Sequence, residues 1–280
     1  MVTAALADAV STILGKPVLW VPGLVVGCLA AMDIVLQYYF GTFFLTRLWV
    51  IEALAVPFLV AGAYSEIRNT GEEPLTFWSG GIRYYFRLLG PLLVIAFSIL
   101  ATIVLLAIPL SFLGNSTLVL PYIILGSAVP IAFFTFFFDC AAVFEDCRVF
   151  ESIRRSVEIV LNRPGQVIVF FLVAAGIVIL VSLPLMVIWT GLLYENLVPL
   201  ASMDQGELQA LTMETLNGML GPGGIGLTAL FSCIWFTLAG NILLTFKAVF
   251  YRHILGQVPQ AGTTVPLRGE YDEKGRWYKY

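Results

Sequence analysis

The sequence predicts an all-α fold: a polytopic integral membrane helix bundle of about six transmembrane helices with in-plane amphipathic helices. The chain of 280 residues is 59% hydrophobic and 12% charged, whereas soluble domains carry about 25% charged residues. Lipid can cover that much apolar surface, but a water-soluble fold would expose it as large apolar patches. The net charge of −3 argues against nucleic acid as a partner.

Six apolar runs are each long enough to cross about 30 Å of hydrocarbon as a helix. In lipid, backbone polar groups must pair within their own segment, so each run is expected to be helical. The runs lie at about 17–39, 46–64, 88–112, 118–144, 166–193 and 224–250. They define a transmembrane domain over 1–255, followed by a tail over 256–280.

The basic residues are distributed unequally between the connections. Fourteen of the fifteen Lys and Arg residues fall on one side of the predicted membrane, and Arg47 alone falls on the other. Short loops rich in Lys and Arg stay in the cytoplasm. The distribution therefore predicts a multi-pass protein of the cell (plasma) membrane with both termini cytoplasmic.

The first span carries small residues at every fourth position: Gly23, Gly27 and Ala31. This spacing places them on one helix face, where a neighbouring helix can approach closely. Glycine is also common in membrane helices generally. The pattern is therefore either a helix contact or the ordinary composition of a span.

Two basic connections, over 65–87 and 145–165, share one plan and are named here the first and second elbow. We interpret both as short helices on the inner leaflet. In the second elbow an apolar stripe is formed by Phe150, Ile153, Val157 and Val160. Arg154 and Arg155 either contact anionic lipid headgroups, gaining on the order of 1 kcal/mol each, or form a solvated polar face.

The spans that follow the elbows end in similar residues, at 105–110 and 179–185. The similarity is consistent with a parallel repeat of span, elbow and span, an arrangement that occurs in transporters. It is equally consistent with no duplication.

The second elbow and its flanks have a further pattern: FDCAAVFED at 138–146 and ESIRRSVE at 151–158. A span ends in small and acidic residues, and an Arg-Ser helix and a polar stop follow. This pattern resembles the glycerophosphoryl diester phosphodiesterase membrane-domain-like family of prokaryotes and related archaeal domains, most clearly over 60–190. Where that family is fused to a phosphodiesterase, a soluble barrel carries the chemistry. The present sequence contains no such barrel, so the resemblance implies a membrane module without catalysis.

Ionisable residues inside membrane spans are costly and are often functional. Asp33 lies in the predicted outer half of span 1, and Arg47 and Glu52 lie in the outer part of span 2. One interpretation is a structural cluster in which a carboxylate neutralises Arg47 near the interface. The other is a path for an ion or substrate.

Two further charges lie near the inner ends of spans, Asp139 in span 4 and Lys247 in span 6. A pair between them would tie the two spans together. Alternatively, Lys247 extends to the interface by itself. Asn241, deeper in span 6, is expected to bond across helices, typically for less than about 2 kcal/mol.

Enzyme signatures are largely missing from the sequence. His253 is the single histidine, so H-E-x-x-H zinc chemistry is excluded. The four cysteines have no metal-ligand spacing and suggest no disulfide framework. We therefore predict no catalytic, cofactor-binding or metal-binding residues, and a protein that is not an enzyme.

The segments outside the spans suggest surface structures. Residues 202–220 fit an amphipathic helix, with Asp204 near its start, that covers the outer surface or binds a partner; residues 1–15 fit a short inner helix. In the tail, Glu273-Lys274-Gly275 fits the turn of a β-hairpin. An isolated hairpin is marginal, so we expect it to dock on the elbows or on another chain.

Together these features predict a non-enzymatic integral membrane module: a scaffold, an assembly factor or a subunit of a membrane complex. The expected partners are the lipid bilayer and a protein bound through the tail or the elbow helices. The alternative is a small-solute or lipid transporter or channel, which the possible repeat and the set Asp33, Arg47 and Glu52 favour.

Overall fold

The computed structural model describes residues 1–41, 45–68, 76–111, 116–201, 203–204, 206, 211–257, 269–271 and 277–279. Within these residues, six helices are long and apolar enough to cross a membrane: Pro17–Phe40, Leu48–Arg68, Phe77–Pro109, Pro121–Phe144, Pro164–Leu192 and Thr215–Gly256. The chain is thus an all-α helical bundle and a multi-pass membrane protein, which confirms the predicted fold class.

The elements follow the order of the predicted spans, with interruptions in the fourth and sixth. In chain order they are α1 (Val2–Gly15), a 3₁₀ turn (Pro17–Trp20), α2 (Val21–Phe40), α3 (Leu45–Arg68), α4 (Phe77–Ser111), α5 (Ser116–Thr135), α6 (Phe138–Phe144), α7 (Val149–Asn162), α8 (Pro164–Leu192), α9 (Tyr194–Ala201), α10 (Met213–Trp235), a π-helical segment (Phe236–Gly240) and α11 (Asn241–Gln257). Two short strands, β1 (Gly269–Tyr271) and β2 (Trp277–Lys279), complete the described chain.

The glycines of α2 pack it against the last span. A Cβ at Gly27 would lie 2.6 Å from the backbone carbonyl oxygen of Cys233, and a Cβ at Gly23 would lie 2.5 Å from Asn241 Nδ2. The atom that a Cβ at Gly27 would meet belongs to the backbone and cannot turn aside, so glycine is required there, whereas a Cβ at Gly23 would displace the Asn241 side chain. The predicted contact between this face of α2 and another helix is confirmed.

The described residues of the first elbow, 65–68 and 76–87, form no separate helix, so the in-plane helix predicted there is wrong; residues 69–75 lie outside the described residues. Instead, α4 runs without a break from the elbow into the third span. A Cβ at Gly80 would lie 1.8 Å from Ser65 Oγ, and one at Gly81 would lie 2.7 Å from the Phe58 ring. These two glycines let the start of α4 pack closely along α3, which holds it in line with its span.

The second elbow does form its own helix, α7, which packs at the break between α5 and α6. Ser156 Oγ accepts a hydrogen bond from the Phe137 N–H at 2.9 Å and donates one to the Phe134 carbonyl at 2.8 Å. The side chain of Ser156 thus satisfies backbone groups that the interrupted helix leaves without helical partners. The serine face of α7 is turned toward the protein.

The sixth span is bent and irregular. Gly221 has a φ of +63° and separates the segment 213–220 from the rest of α10. Thr212 caps this segment by accepting a hydrogen bond from the Thr215 N–H at 3.2 Å. The helix predicted over 202–220 is therefore described in its second part, and residues 202, 205 and 207–210 lie outside the described residues.

The core is concentrated at the end of the bundle that carries the basic connections, named here the cation-rich end. The Phe170 ring lies 4.7 Å from the rings of both Phe246 and Phe250, measured between centroids. The predicted N-terminal helix is present as α1 and packs on α11, with Ala5 and Ala9 fully buried. Aromatic packing therefore fixes the helices just where the charged side chains meet.

The two strands of the tail pair antiparallel, with Tyr271 opposite Trp277. This pairing agrees with the predicted hairpin. Its turn, 272–276, lies outside the described residues, and so does the linker 258–268. The predicted docking of the hairpin stays a prediction.

Candidate functional site at the cation-rich end

Three acidic residues, Asp139, Glu145 and Asp146, lie on or directly after the short helix α6. Asp139 is in its first turn, and Glu145 ends the helix. Asp146 follows with a φ of +56°, a left-handed conformation that aspartate tolerates better than most residues. The three carboxylates are thus presented from both ends of one short helix.

Asp139 forms the most buried ion pair among the residues that the structure describes. Its Oδ2 lies 2.6 Å from Lys247 Nζ of α11, and the two side chains are only 12% and 13% exposed. The Tyr64 hydroxyl of α3 lies 3.3 Å from the same oxygen, and the backbone N–H of Cys140 donates to Oδ1 at 2.8 Å. The ammonium group also lies 4.1 Å from the centre of the Phe136 ring. The structure thus brings together the two residues that the sequence suggested as a pair.

Glu145 joins α7 and α11 to the end of α6. Arg155 Nε lies 3.0 Å from both carboxylate oxygens, and the Tyr251 hydroxyl donates a short hydrogen bond to Oε1. Partial burial lowers the pKa of Arg155, but the hydrogen bond and charge of Glu145 outweigh it and raise that pKa. Arg155 is therefore held as a cation within the protein.

Asp146 joins α3 and α4. It pairs with Arg68 at 2.6 Å and Arg87 at 3.0 Å, and it accepts a hydrogen bond from the Tyr84 hydroxyl at 2.8 Å. Partial burial raises the pKa of Asp146, but the hydrogen bonds from Arg68 and Tyr84 and the two guanidinium charges outweigh it. The net effect lowers the pKa below its usual value, so Asp146 is ionised at neutral pH.

Three further polar contacts surround these acids at the same end. Lys16 pairs with Glu66 at 3.3 Å, Arg252 donates to the Ile67 carbonyl at 3.2 Å, and His253 Nε2 lies 3.0 Å from Asp8 Oδ2. The polar groups of six helices are thereby linked in one region. Within the described residues, no group of three or more His, Cys, Asp or Glu side chains is arranged to hold a metal ion.

The structure distinguishes the two arginines predicted to contact lipid headgroups. Arg155 has the protein partner Glu145, whereas the Arg154 side chain is 81% exposed and, among the described residues, pairs along its own helix with Glu158 at 2.8 Å. Arg154 is therefore the one of the two that is placed to reach a headgroup.

The predicted outer cluster is partly described. Asp33 of α2 and Glu52 of α3 lie close enough for their carboxyl groups to influence each other, and each lies roughly 24 Å along its helix from the cation-rich end, at about 1.5 Å per residue. Among the described residues, Asp33 Oδ1 is buried without a hydrogen-bond partner. The side chain of Arg47 lies outside the described residues, so its pairing with either carboxylate stays a prediction.

Asn241 has a role that the sequence indicated only in general terms. Its Oδ1 accepts a hydrogen bond from the Gly23 N–H at 2.8 Å, and its Nδ2 donates to the Trp20 carbonyl at 3.0 Å. Gly23 is the third residue of α2, where backbone N–H groups have no partner within the helix. Asn241 therefore caps α2 from another helix, a bond across helices of the expected kind.

Sequence reasoning missed most partners of Glu145 and Asp146. It named these acids only as the start of the second elbow, and it did not connect them with Arg68, Tyr84 or Tyr251. The available signal was an acidic pair directly after an apolar run that also contains Asp139. No periodicity connects that pair with tyrosines in two distant spans.

No known protein-family model matches the chain, and neither a curated protein nor a solved structure matches it. The resemblance of the second elbow to the phosphodiesterase membrane domain accordingly stays a prediction.

Proposed function

We propose that the protein is a non-enzymatic integral membrane module: a scaffold, an assembly factor or a subunit of a membrane complex. One observation carries this proposal. The three acids around α6, Asp139, Glu145 and Asp146, each bind a cation and a tyrosine from other helices. Charges that join helices in this way serve assembly of the bundle, and their partners fill the coordination that a substrate would need.

We further propose that the protein lies in the plasma membrane with its cation-rich end facing the cytoplasm, and that both termini are cytoplasmic. The concentration of Lys and Arg at that end supports it. Helix α7 connects two spans at that end, and Phe150 and Leu161 on its surface are 73% and 63% exposed. An amphipathic helix in the plane of the inner leaflet accounts for such exposure.

The orientation is tested with single cysteines in a chain whose four native cysteines are replaced. Ser11 and Glu195 are both exposed and lie at opposite ends of the bundle. A membrane-impermeant maleimide is expected to label Glu195→Cys in intact cells, and to label Ser11→Cys only after permeabilisation. The reverse pattern would overturn the proposed topology.

The proposed resemblance to the phosphodiesterase membrane domain agrees with a module that lacks catalysis of its own. The protein partner is proposed to bind the tail hairpin or α7. The test compares tagged full-length chain with a chain ending at Gln257, both purified from native membranes in mild detergent. We expect a stoichiometric protein partner with the full-length chain and its loss or reduction on truncation.

A small-solute or lipid transporter is the second candidate. The buried Asp33 Oδ1 beside Glu52, which has no hydrogen-bond partner among the described residues, favours it, because a buried polar atom without a partner is costly and marks sites that bind ions or substrates. Purified protein in liposomes distinguishes the two functions. A solute flux that Asp33→Asn abolishes, in a monomer without a protein partner, would refute the module.

A further inference from the structure

An apolar groove of about 410 Å³ opens on the surface between α5 and α7. Its lining presents no polar surface and is formed by Pro130, Ile131, Phe134, Thr135, Val157 and Leu161. The groove is shallow and open along one side rather than an enclosed cavity. Such a groove in a water-facing protein would be a liability, but here both flanking helices belong to a membrane bundle.

The groove lies where α7 meets the fourth membrane-spanning segment, Pro121–Phe144, close to the start of the fifth. Leu161 comes three residues before Pro164, which begins the fifth span, and Thr135 ends α5 just before the break in the fourth span. The hydrocarbon of the leaflet at the cation-rich end therefore reaches the groove. Acyl chains are the apolar molecules present at that depth.

A single cation lies beside the groove within an otherwise apolar stripe. Phe150, Arg154, Val157 and Leu161 are spaced by four, three and four residues, which puts them on one side of α7. Val157 and Leu161 line the groove, and Arg154 is one turn further along. An arginine in an exposed apolar stripe keeps its stem in hydrocarbon and its guanidinium at the headgroups.

Most N–H donors of the Arg154 guanidinium form no hydrogen bond among the described residues. Its bond to Glu158 uses Nε, and arginine has five N–H donors in all. The terminal nitrogens form no bond within the described residues and match the geometry of a phosphate. Arg155 cannot substitute for it, because Glu145 holds Arg155 on the protein side.

We propose that this groove binds one anionic phospholipid of the inner leaflet, with an acyl chain between α5 and α7 and the phosphate at Arg154. The inference rests on the lipid-bilayer part of the proposed function and makes it specific. The groove supplies the hydrophobic contact, and Arg154 supplies the preference for an anionic headgroup over a zwitterionic one.

The test is native mass spectrometry of the purified full chain, incubated with equal amounts of dioleoyl phosphatidylglycerol and dioleoyl phosphatidylcholine. The wild type is expected to retain one phosphatidylglycerol. Arg154→Gln is expected to lower that retention about fivefold, which corresponds to the ~1 kcal/mol that one arginine gains beside anionic lipid. The exposed Arg148→Gln is the charge-matched control and is expected to retain the lipid.

The second part of the test fills the groove with a larger side chain. Val157→Trp is expected to abolish retention of both lipids, and Ile131→Trp does the same from the opposite wall should the first variant fail to fold. Leu172→Trp, on the exposed surface of α8, controls for the added ring. Equal retention of the two lipids by the wild type, or unchanged retention after groove filling, would overturn the proposal. Because the assay uses purified chain alone, either result is independent of the protein-partner test.

Discussion

The ion pair between Asp139 and Lys247 permits a stability prediction with a defined magnitude. At 2.6 Å and an effective dielectric constant of about 20, the Coulomb attraction is about 6 kcal/mol before desolvation is subtracted. Replacing Lys247 by Met, which is one atom shorter, keeps an unbranched side chain whose thioether suits the neighbouring Phe136 ring but removes the positive charge. The Asp139 carboxylate then stays buried without a counterion, which typically costs about 3–5 kcal/mol.

The assay is thermal unfolding of the purified protein in detergent, followed by the loss of the monodisperse chromatography peak. For a protein of this size a loss of that magnitude corresponds to a fall in Tm on the order of 10 °C. The double variant Asp139→Leu with Lys247→Met removes both charges. It is expected to recover most of the loss, because two apolar side chains replace a buried ion pair at little net cost.

Arg154→Gln is the matched control, since it also removes one cation from an ion pair but from an exposed one. Exposed pairs contribute about 0–1 kcal/mol, so its Tm is expected to stay within about 2 °C of the wild type. The reasoning is refuted by a Lys247→Met protein as stable as this control. It is equally refuted by a double variant no more stable than the single one.

Three further predictions follow from the packing and from the acids. Gly27→Ala brings a Cβ to within 2.6 Å of the Cys233 carbonyl oxygen and is expected to destabilise by about 1–3 kcal/mol in an SDS unfolding titration. Gly176→Ala, where a Cβ has open space, is expected to cause no loss. The lowered pKa of Asp146 means that its stabilising contribution is complete above its unfolded pKa of about 3.9. That contribution is lost as the pH falls through the lower folded pKa, so the Tm gap between the wild type and Asp146→Asn should close below about pH 4 and stay constant from pH 5 to 7. Burial first, and then neighbouring carboxylates, raise the pKa of Cys147 to about 11. In a variant retaining only this cysteine, iodoacetamide at pH 8 should therefore react more than about tenfold slower than with a free thiol, and similar rates would contradict that pKa.

Much of the bundle was predictable from the sequence, because lipid allows few solutions. Each long apolar run must satisfy its own backbone, so six runs give six helices. The close contact of α2 was also predictable from the spacing of Gly23 and Gly27. Composition and periodicity do not encode which helices pack against each other. The first elbow continues into its span because Gly80 and Gly81 fit against α3. Nothing in the sequence of the elbow identifies α3 as its packing partner.

The candidate site was predictable to a smaller extent. A pair between Asp139 and Lys247 was predictable because both residues lie near the inner ends of their spans. That position can be determined from each span separately. The partners of Glu145 and Asp146 come from helices that are distant in sequence, so their identity depends on the three-dimensional arrangement. The same holds for Ser156, whose bonds to the interrupted fourth span put a polar residue on the protein side of α7.

The cap that Asn241 places on α2 has a consequence for biogenesis. The second helix of the chain receives the partner of its Gly23 N–H from a residue more than two hundred positions later, and its Gly23 and Gly27 pack against the final span. During translation, the N-terminal part of the protein therefore lacks this cap and this helix contact until the last helix leaves the ribosome and enters the bilayer. A chain truncated before residue 213 is therefore expected to be degraded rapidly by membrane proteases. A pulse-chase comparison with the complete chain would measure this difference. Stable accumulation of the earlier helices would then depend on synthesis of the final span.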